Sequence, residues 1–118
     1  MTIEELRIRI DALDRELVQL LSERARAAQK IGNLKAATSL PVYEPDREKI
    51  IYANVRAANK GPLPDIELTH IYERIIDVMR ALQRNELASQ RSAQAAQAEG
   101  RQPGNAAGAP TPETGKKQ

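Results

Sequence analysis

Two basic residues, Arg24 and Lys35, stand eleven positions apart on one helical stretch, so three α-helical turns bring them to nearly the same face. Ala28 and Gly32 between them are small, which would leave a hollow lined with positive charge. Arg47 and Glu48 open a later stretch, where the free N–H groups of a helix start already favour an anion. Gln83 falls four residues after Met79 and eleven after Tyr72, so the three share a face. Arg7 is seventeen residues before Arg24, about 25 Å along a helix and turned by roughly 100°, too far to join a small-molecule site with Arg24 in one chain. In an antiparallel dimer, however, the start of one such helix lies near the middle of the other. Plainer readings compete. Arg24 can pack its stem and keep its head in water, charges in a first turn are commonplace, and a helical Gln is usually solvated. His70, next to Thr69, reads as a surface residue with no role.

The elements that must position these groups are helices. Apolar residues at Ile3, Leu6, Ile10, Leu13, Leu17, Leu20, Ala27, Ile31 and Leu34 alternate in steps of three and four, a heptad-like seam on a helix from Thr2 to about Ala37. Thr2 with Glu5 reads as a capping box. Arg24 interrupts the seam where Leu or Ile is expected. At ~1.5 Å per residue this helix is about 50 Å long, and two shorter elements cannot cover its seam, so a partner chain is expected. Gly32 costs about 1 kcal/mol relative to Ala and reads as a tolerated glycine, with close backbone approach as the alternative. Pro41 ends the helix. A second helix is predicted from Pro45 to about Asn59, burying Ile50, Ile51 and Val55, with Asp46 and Glu48 in its first turn. Lys60-Gly61-Pro62 closes it. A third begins near Asp65 with Ile66, Leu68, Ile71, Ile75, Val78 and Leu82 as its apolar face.

No strand signal is present, so the fold class is all-α, with long, short and long helices; with the partner chain and the resemblance given below, the expected assembly is an intertwined homodimeric bundle. Residues 1–88 form the domain and 89–99 a fraying extension of the third helix. Residues 100–118 hold four of the six Gly and three of the seven Pro, which predicts a disordered tail. The chain has 118 residues, no Cys, one His and only three aromatic residues, all Tyr. Thiolate chemistry, disulfides and a His-rich zinc site are thereby excluded. A net charge of +2 gives no argument for nucleic acid. No apolar run reaches the ~18 residues of a membrane span and no signal-peptide core is present, so a cytoplasmic location is expected.

Three segments carry a resemblance: LRIRIDALDRELVQLLSERARAAQKIGNLK (Leu6–Lys35), PVYEPDREK (Pro41–Lys49) and IYERIIDVMRALQ (Ile71–Gln83). Their combination of an I-D-x-x-D-like start, an E-R followed eleven residues on by Lys, and P-V-x-x-P-x-R-E resembles the all-helical chorismate mutases over about residues 3–85. The resemblance implies that Arg24 and Lys35 bind substrate in cis and that Arg7 is delivered from the other subunit. It implies that Glu44, Arg47 and Glu48 surround the substrate's hydroxyl and the site wall, and that Gln83 faces the ether oxygen. Glu44 stands where Asp is common and keeps a carboxylate. Met79 stands where Ser is frequent, which removes a hydrogen bond to a substrate carboxylate and bears on affinity more than on activity.

The implied reaction is the intramolecular Claisen rearrangement of chorismate, a dianion with an enolpyruvyl ether, to prephenate in Phe and Tyr biosynthesis. It needs no nucleophile, metal or redox cofactor, so no cofactor is expected. Arg7 and Arg24 would clamp the two carboxylates in a compact shape. Lys35 and Gln83 would stabilise charge growing on the ether oxygen. Two rival readings remain. An isochorismate-pyruvate lyase would use a similar cationic pocket, and a non-catalytic dimerisation or regulatory module would keep only the seam. Relatives of this kind can be fused to dehydratase, dehydrogenase or synthase domains. The polar tail ending at Gln118 predicts a stand-alone enzyme, with association with another aromatic-pathway enzyme open.

Overall fold

A computed structural model describes residues 1–101, with side chains through Ala98; of the tail expected over residues 100–118, residues 100 and 101 belong to the last helix and residues 102–118 lie outside the described residues. Three helices make up the described chain: α1 (Ile3–Ala36), α2 (Pro45–Ala58) and α3 (Asp65–Arg101). Each boundary has a local cause. At the start of α1, Glu5 N donates to Thr2 Oγ1 at 3.1 Å while Thr2 N donates to Glu5 Oε1 at 3.0 Å, the reciprocal capping box. Past its end, Thr38 Oγ1 donates to Lys35 O at 3.2 Å and accepts from Leu40 N, turning the chain toward Pro41. Pro45 occupies the first position of α2, where its missing N–H costs nothing.

Between α2 and α3 the chain reverses around Asn59. Its amide donates to Leu63 O and to Asp65 Oδ1, both at 2.7 Å, and its Oδ1 accepts from Gly61 N at 3.0 Å. Gly61 sits at φ +75°, a left-handed conformation that favours glycine. The stretch 89–99 continues α3 without a break.

α3 is the hub, packed against both α1 and α2. Where α3 meets α1, the two helix backbones approach so closely that a Cβ on Gly32 would lie 2.9 Å from Gln83 O and 3.0 Å from Gln83 Cα. Gly32 is therefore no tolerated glycine. The backbone of α3 occupies its side-chain space, and the hollow expected beside it closes there. Ala28, Ile76 and Met79 are the buried apolar residues of this contact.

Much of the remaining apolar surface is uncovered in the single chain. Ile3 is 69% exposed, Leu17 56% and Val18 63%, and no residue from Ile3 to Leu21 is buried. Ile50 of α2 is exposed rather than buried, and Ile51 and Val55 are half-buried. On α3, Leu68, Ile75 and Leu82 of the expected face are half-buried and Ile66, Ile71 and Val78 stay exposed, while Ile76 and Met79 face inward, so the buried stripe is rotated from the expected one. Three buried apolar side chains are a small core against the backbone entropy of about a hundred residues. Among the described residues, no helix is long and apolar enough to cross a membrane.

Candidate active site

The second half of α1, the start of α2 and the middle of α3 line a half-open cavity of about 430 Å³. That volume falls within the ~300–1,000 Å³ of small-molecule sites. Seven of the eight residues singled out from the sequence line it: Arg24, Lys35, Glu44, Arg47, Glu48, Met79 and Gln83. Ala28, Ile31, Val42, Ile51 and Ile76 add apolar wall. Arg7 does not line it; it stands exposed on the outlying half of α1.

Lys35 is the best-held group in the cavity. It is only 4% exposed, and a buried ammonium is tolerated when it is paired and hydrogen-bonded. Its Nζ lies 2.7 Å from Glu44 Oε2, donates to Gln83 Oε1 at 3.0 Å, and reaches Val42 O at 3.4 Å. An ammonium has three donors and no acceptor, so these three partners saturate it. The same logic fixes Gln83. Because Lys35 can only donate, it must meet the amide oxygen, which leaves the Gln83 NH₂ free to donate elsewhere.

A second pair closes the opposite wall. Arg80 of α3 donates from both Nε, at 3.2 Å, and a terminal nitrogen, at 2.6 Å, to Glu48 Oε2 of α2. Its other terminal nitrogen lies 3.4 Å from Asp77 Oδ1, and its guanidinium carbon stands 5.0 Å from the centre of the Tyr43 ring, a cation–π contact. The hydrogen bond to Glu48, more than any other influence, raises the Arg80 pKa above its ordinary value, against the opposing effect of burial. Sequence reasoning missed Arg80. Its signal was available: it lies four residues after Ile76 and three before Gln83, on the cavity-facing side of α3.

Charge balance follows from these pairs. The cavity is lined by four cations, Arg24, Lys35, Arg47 and Arg80, and two carboxylates, Glu44 and Glu48. Lys35 is paired with Glu44 and Arg80 with Glu48. Arg24 and Arg47 have no carboxylate within ion-pair distance among the described residues, so two positive charges are left over. A site with two spare guanidiniums, a free amide donor and an apolar floor is suited to a compact dianion.

Known proteins are similar to this chain in sequence and in fold. Residues 6–84 match the family described as chorismate mutase type II. The bifunctional chorismate mutase/prephenate dehydratase of Aquifex aeolicus is 38% identical over 86 residues, 70% of this chain and 24% of that protein. The chain thus spans about a quarter of the length of that relative. Among solved structures, chorismate mutase (form II) from Thermus thermophilus superposes with a TM-score of 0.68 at 38% identity, covering 70% of this chain and 93% of that one. Chorismate mutase from Helicobacter pylori in complex with prephenate gives a TM-score of 0.66 at 36% identity, with 73% and 93% covered. The helices of the described chain, the cavity between them and these likenesses lead to one assignment: the chain belongs to the type II chorismate mutase family.

Proposed function

We propose that this chain is a chorismate mutase that rearranges chorismate to prephenate, in the cytoplasm, as a homodimer with two equivalent sites. The surplus of two unpaired arginines in a cavity that also holds a free amide donor carries the reading. In the rearrangement the ether C–O bond breaks as a C–C bond forms within one molecule, and no group leaves. The protein must fold an extended dianion into a compact shape and stabilise charge growing on the ether oxygen.

Arg24 takes one carboxylate. Arg7 of a second copy takes the other, a reading supported by the exposed seam on the half of α1 that carries it. Arg47 adds positive charge at the wall, Glu48 accepts the ring hydroxyl, and Met79 supplies apolar floor. Lys35 gives up its longest contact, the 3.4 Å one to Val42 O, to reach the substrate, while Glu44 keeps it charged and in place. The Gln83 NH₂ donates to the ether oxygen. The fusion of a similar segment to a prephenate dehydratase in Aquifex aeolicus supports a functional association with a neighbouring aromatic-pathway enzyme.

The test follows chorismate consumption by the purified protein, by Arg24→Ala, by Arg7→Ala and by an equal mixture of the two variants. Turnover by the wild type, two inactive variants and a partly active mixture is the expected pattern, because an exchanged dimer holds one site with both arginines. No turnover by the wild type overturns the assignment and sends the assay to isochorismate.

A pH experiment isolates Gln83. A Gln donates at any pH, so wild-type activity should change little between pH 6 and 8. The carboxylate introduced by Gln83→Glu would face Lys35, which favours its charged, non-donating form, so this variant should be nearly inactive at neutrality. It should recover only as the pH falls toward ~4, into the ordinary carboxyl range. Full activity of Gln83→Glu at pH 7 would remove Gln83 from this role.

A further inference from the structure

Arg80 stands outside every role assigned so far, yet it is the most constrained cation on the cavity wall after Lys35. It bridges α3 to α2 through one oxygen of Glu48 alone: both hydrogen bonds, at 2.6 and 3.2 Å, end on Oε2. Oε1 of the same carboxylate has no hydrogen-bond partner among the described residues. The guanidinium is itself held on two further sides, by Asp77 one turn back and by the Tyr43 ring. Both side chains of the pair are only about one-fifth exposed, at 20% and 19%, so solvent does little to screen them.

We infer that Arg80 is a positioning residue for the reaction: by occupying Glu48 Oε2 it presents Glu48 Oε1 as the acceptor for the substrate's ring hydroxyl and keeps that carboxylate off the substrate-binding arginines. This rests on the mutase reading above.

The physical reason lies in the composition of the wall. Glu48 shares the cavity with Arg24 and Arg47, the two cations without a carboxylate partner among the described residues. A carboxylate released from Arg80 is drawn to them, and each ion pair it forms there neutralises a charge meant for the substrate. Arg80 therefore acts twice, through geometry and through sequestration. It does so without touching the substrate. A lysine cannot do the same, because a point cation lacks the fork that pins one carboxylate oxygen with two N–H groups.

A purely structural tie between α2 and α3 would look the same in a melting curve, so the test must read the hydroxyl. Arg80→Met, Glu48→Gln and the double variant are assayed on chorismate and on an analogue whose ring hydroxyl is replaced by hydrogen. A hydrogen bond to a charged group is worth roughly ten- to a hundredfold. On chorismate, Arg80→Met should lower kcat/KM by about that factor, with a raised KM from the neutralised arginines. Removing the hydroxyl should cost the wild type a similar factor but cost Arg80→Met far less. The double variant should be no worse than Glu48→Gln alone, since the two act as one unit. Arg80→Lys should recover only part of the loss.

The inference is overturned if Arg80→Met gives the same fold loss with and without the hydroxyl, or if the losses multiply in the double variant. Should Arg80→Met fail to fold, the double variant, which leaves no part-buried carboxylate without its partner, and Arg80→Lys decide by the same comparison of substrates. Absence of chorismate turnover in the wild type is a different result, which overturns the mutase reading and this inference together.

Discussion

Along α1 one apolar spacing runs through two halves that stand in different surroundings. From Arg24 onward the helix lies against α3, and its contact positions are Ala28, Gly32 and Lys35, all buried. The apolar seam lies one residue back from these positions and stays exposed, at Ile3, Leu6, Ile10, Leu13, Leu17 and Leu20 in the first half and at Ile31 and Leu34 in the second. Small residues let two backbones approach within the same chain, whereas large branched ones need a deep opposing surface. Nothing in the described chain supplies that surface for the seam, and the first half of α1 has no buried residue at all. The contrast shows that a heptad pattern says a face is to be covered but not by which molecule.

The largest expected effect tests this difference directly. On a face that is truly in water, Leu17→Asp would change stability by no more than ~0.5 kcal/mol. Packed against a second copy, the same carboxylate would be desolvated without a partner. We expect Leu17→Asp to sediment as a monomer and to lose more than about a hundredfold in activity, as one hydrogen bond to a charged group plus assembly would require. A fully active monomer would break the comparison.

Next in size is Gly32→Ala, on the covered half. Its Cβ would meet the carbonyl and Cα of Gln83, backbone atoms that cannot rotate away. Overpacking of this kind costs about 1–3 kcal/mol, read as a lower midpoint in urea denaturation. An unchanged midpoint would mean that α1 and α3 can part without loss. The smallest effect belongs to the outlying end: Thr2→Ala removes the capping box and should cost ~1 kcal/mol, with Thr2→Ser close to neutral. If Thr2→Ala costs nothing, the first turn of α1 contributes no stability on its own.

How far the sequence was readable follows the range of the interactions. Helix starts and stops depend on residues within four positions, and Thr2, Glu5 and Pro45 act as their types predict. Arg24 and Lys35 were legible for the same reason, since one helix fixes their relation. Gly32 was misjudged because its meaning depends on Gln83, fifty-one residues away, and no local rule reports what will cross there. Arg80 was overlooked because its partner Glu48 lies thirty-two residues upstream, on another helix. The apolar stripe of α3 was misaligned because both of its sides carry Ile and Val, and only packing against α1 and α2 selects Ile76 and Met79.

Lys35 has a consequence for the timing of costs in a catalytic cycle. Its ammonium is already stripped of water and wrapped by Glu44, Gln83 and Val42 before any ligand arrives. The dehydration of that charge is thus completed once, during folding, and not repeated at each encounter. In the reaction proposed above, an arriving oxygen would exchange places with a carbonyl of comparable polarity, and the ammonium would keep its neighbours' orientation while the reacting bond changes. Such preorganisation is what lets a single buried cation act on a transient charge without first rearranging its surroundings.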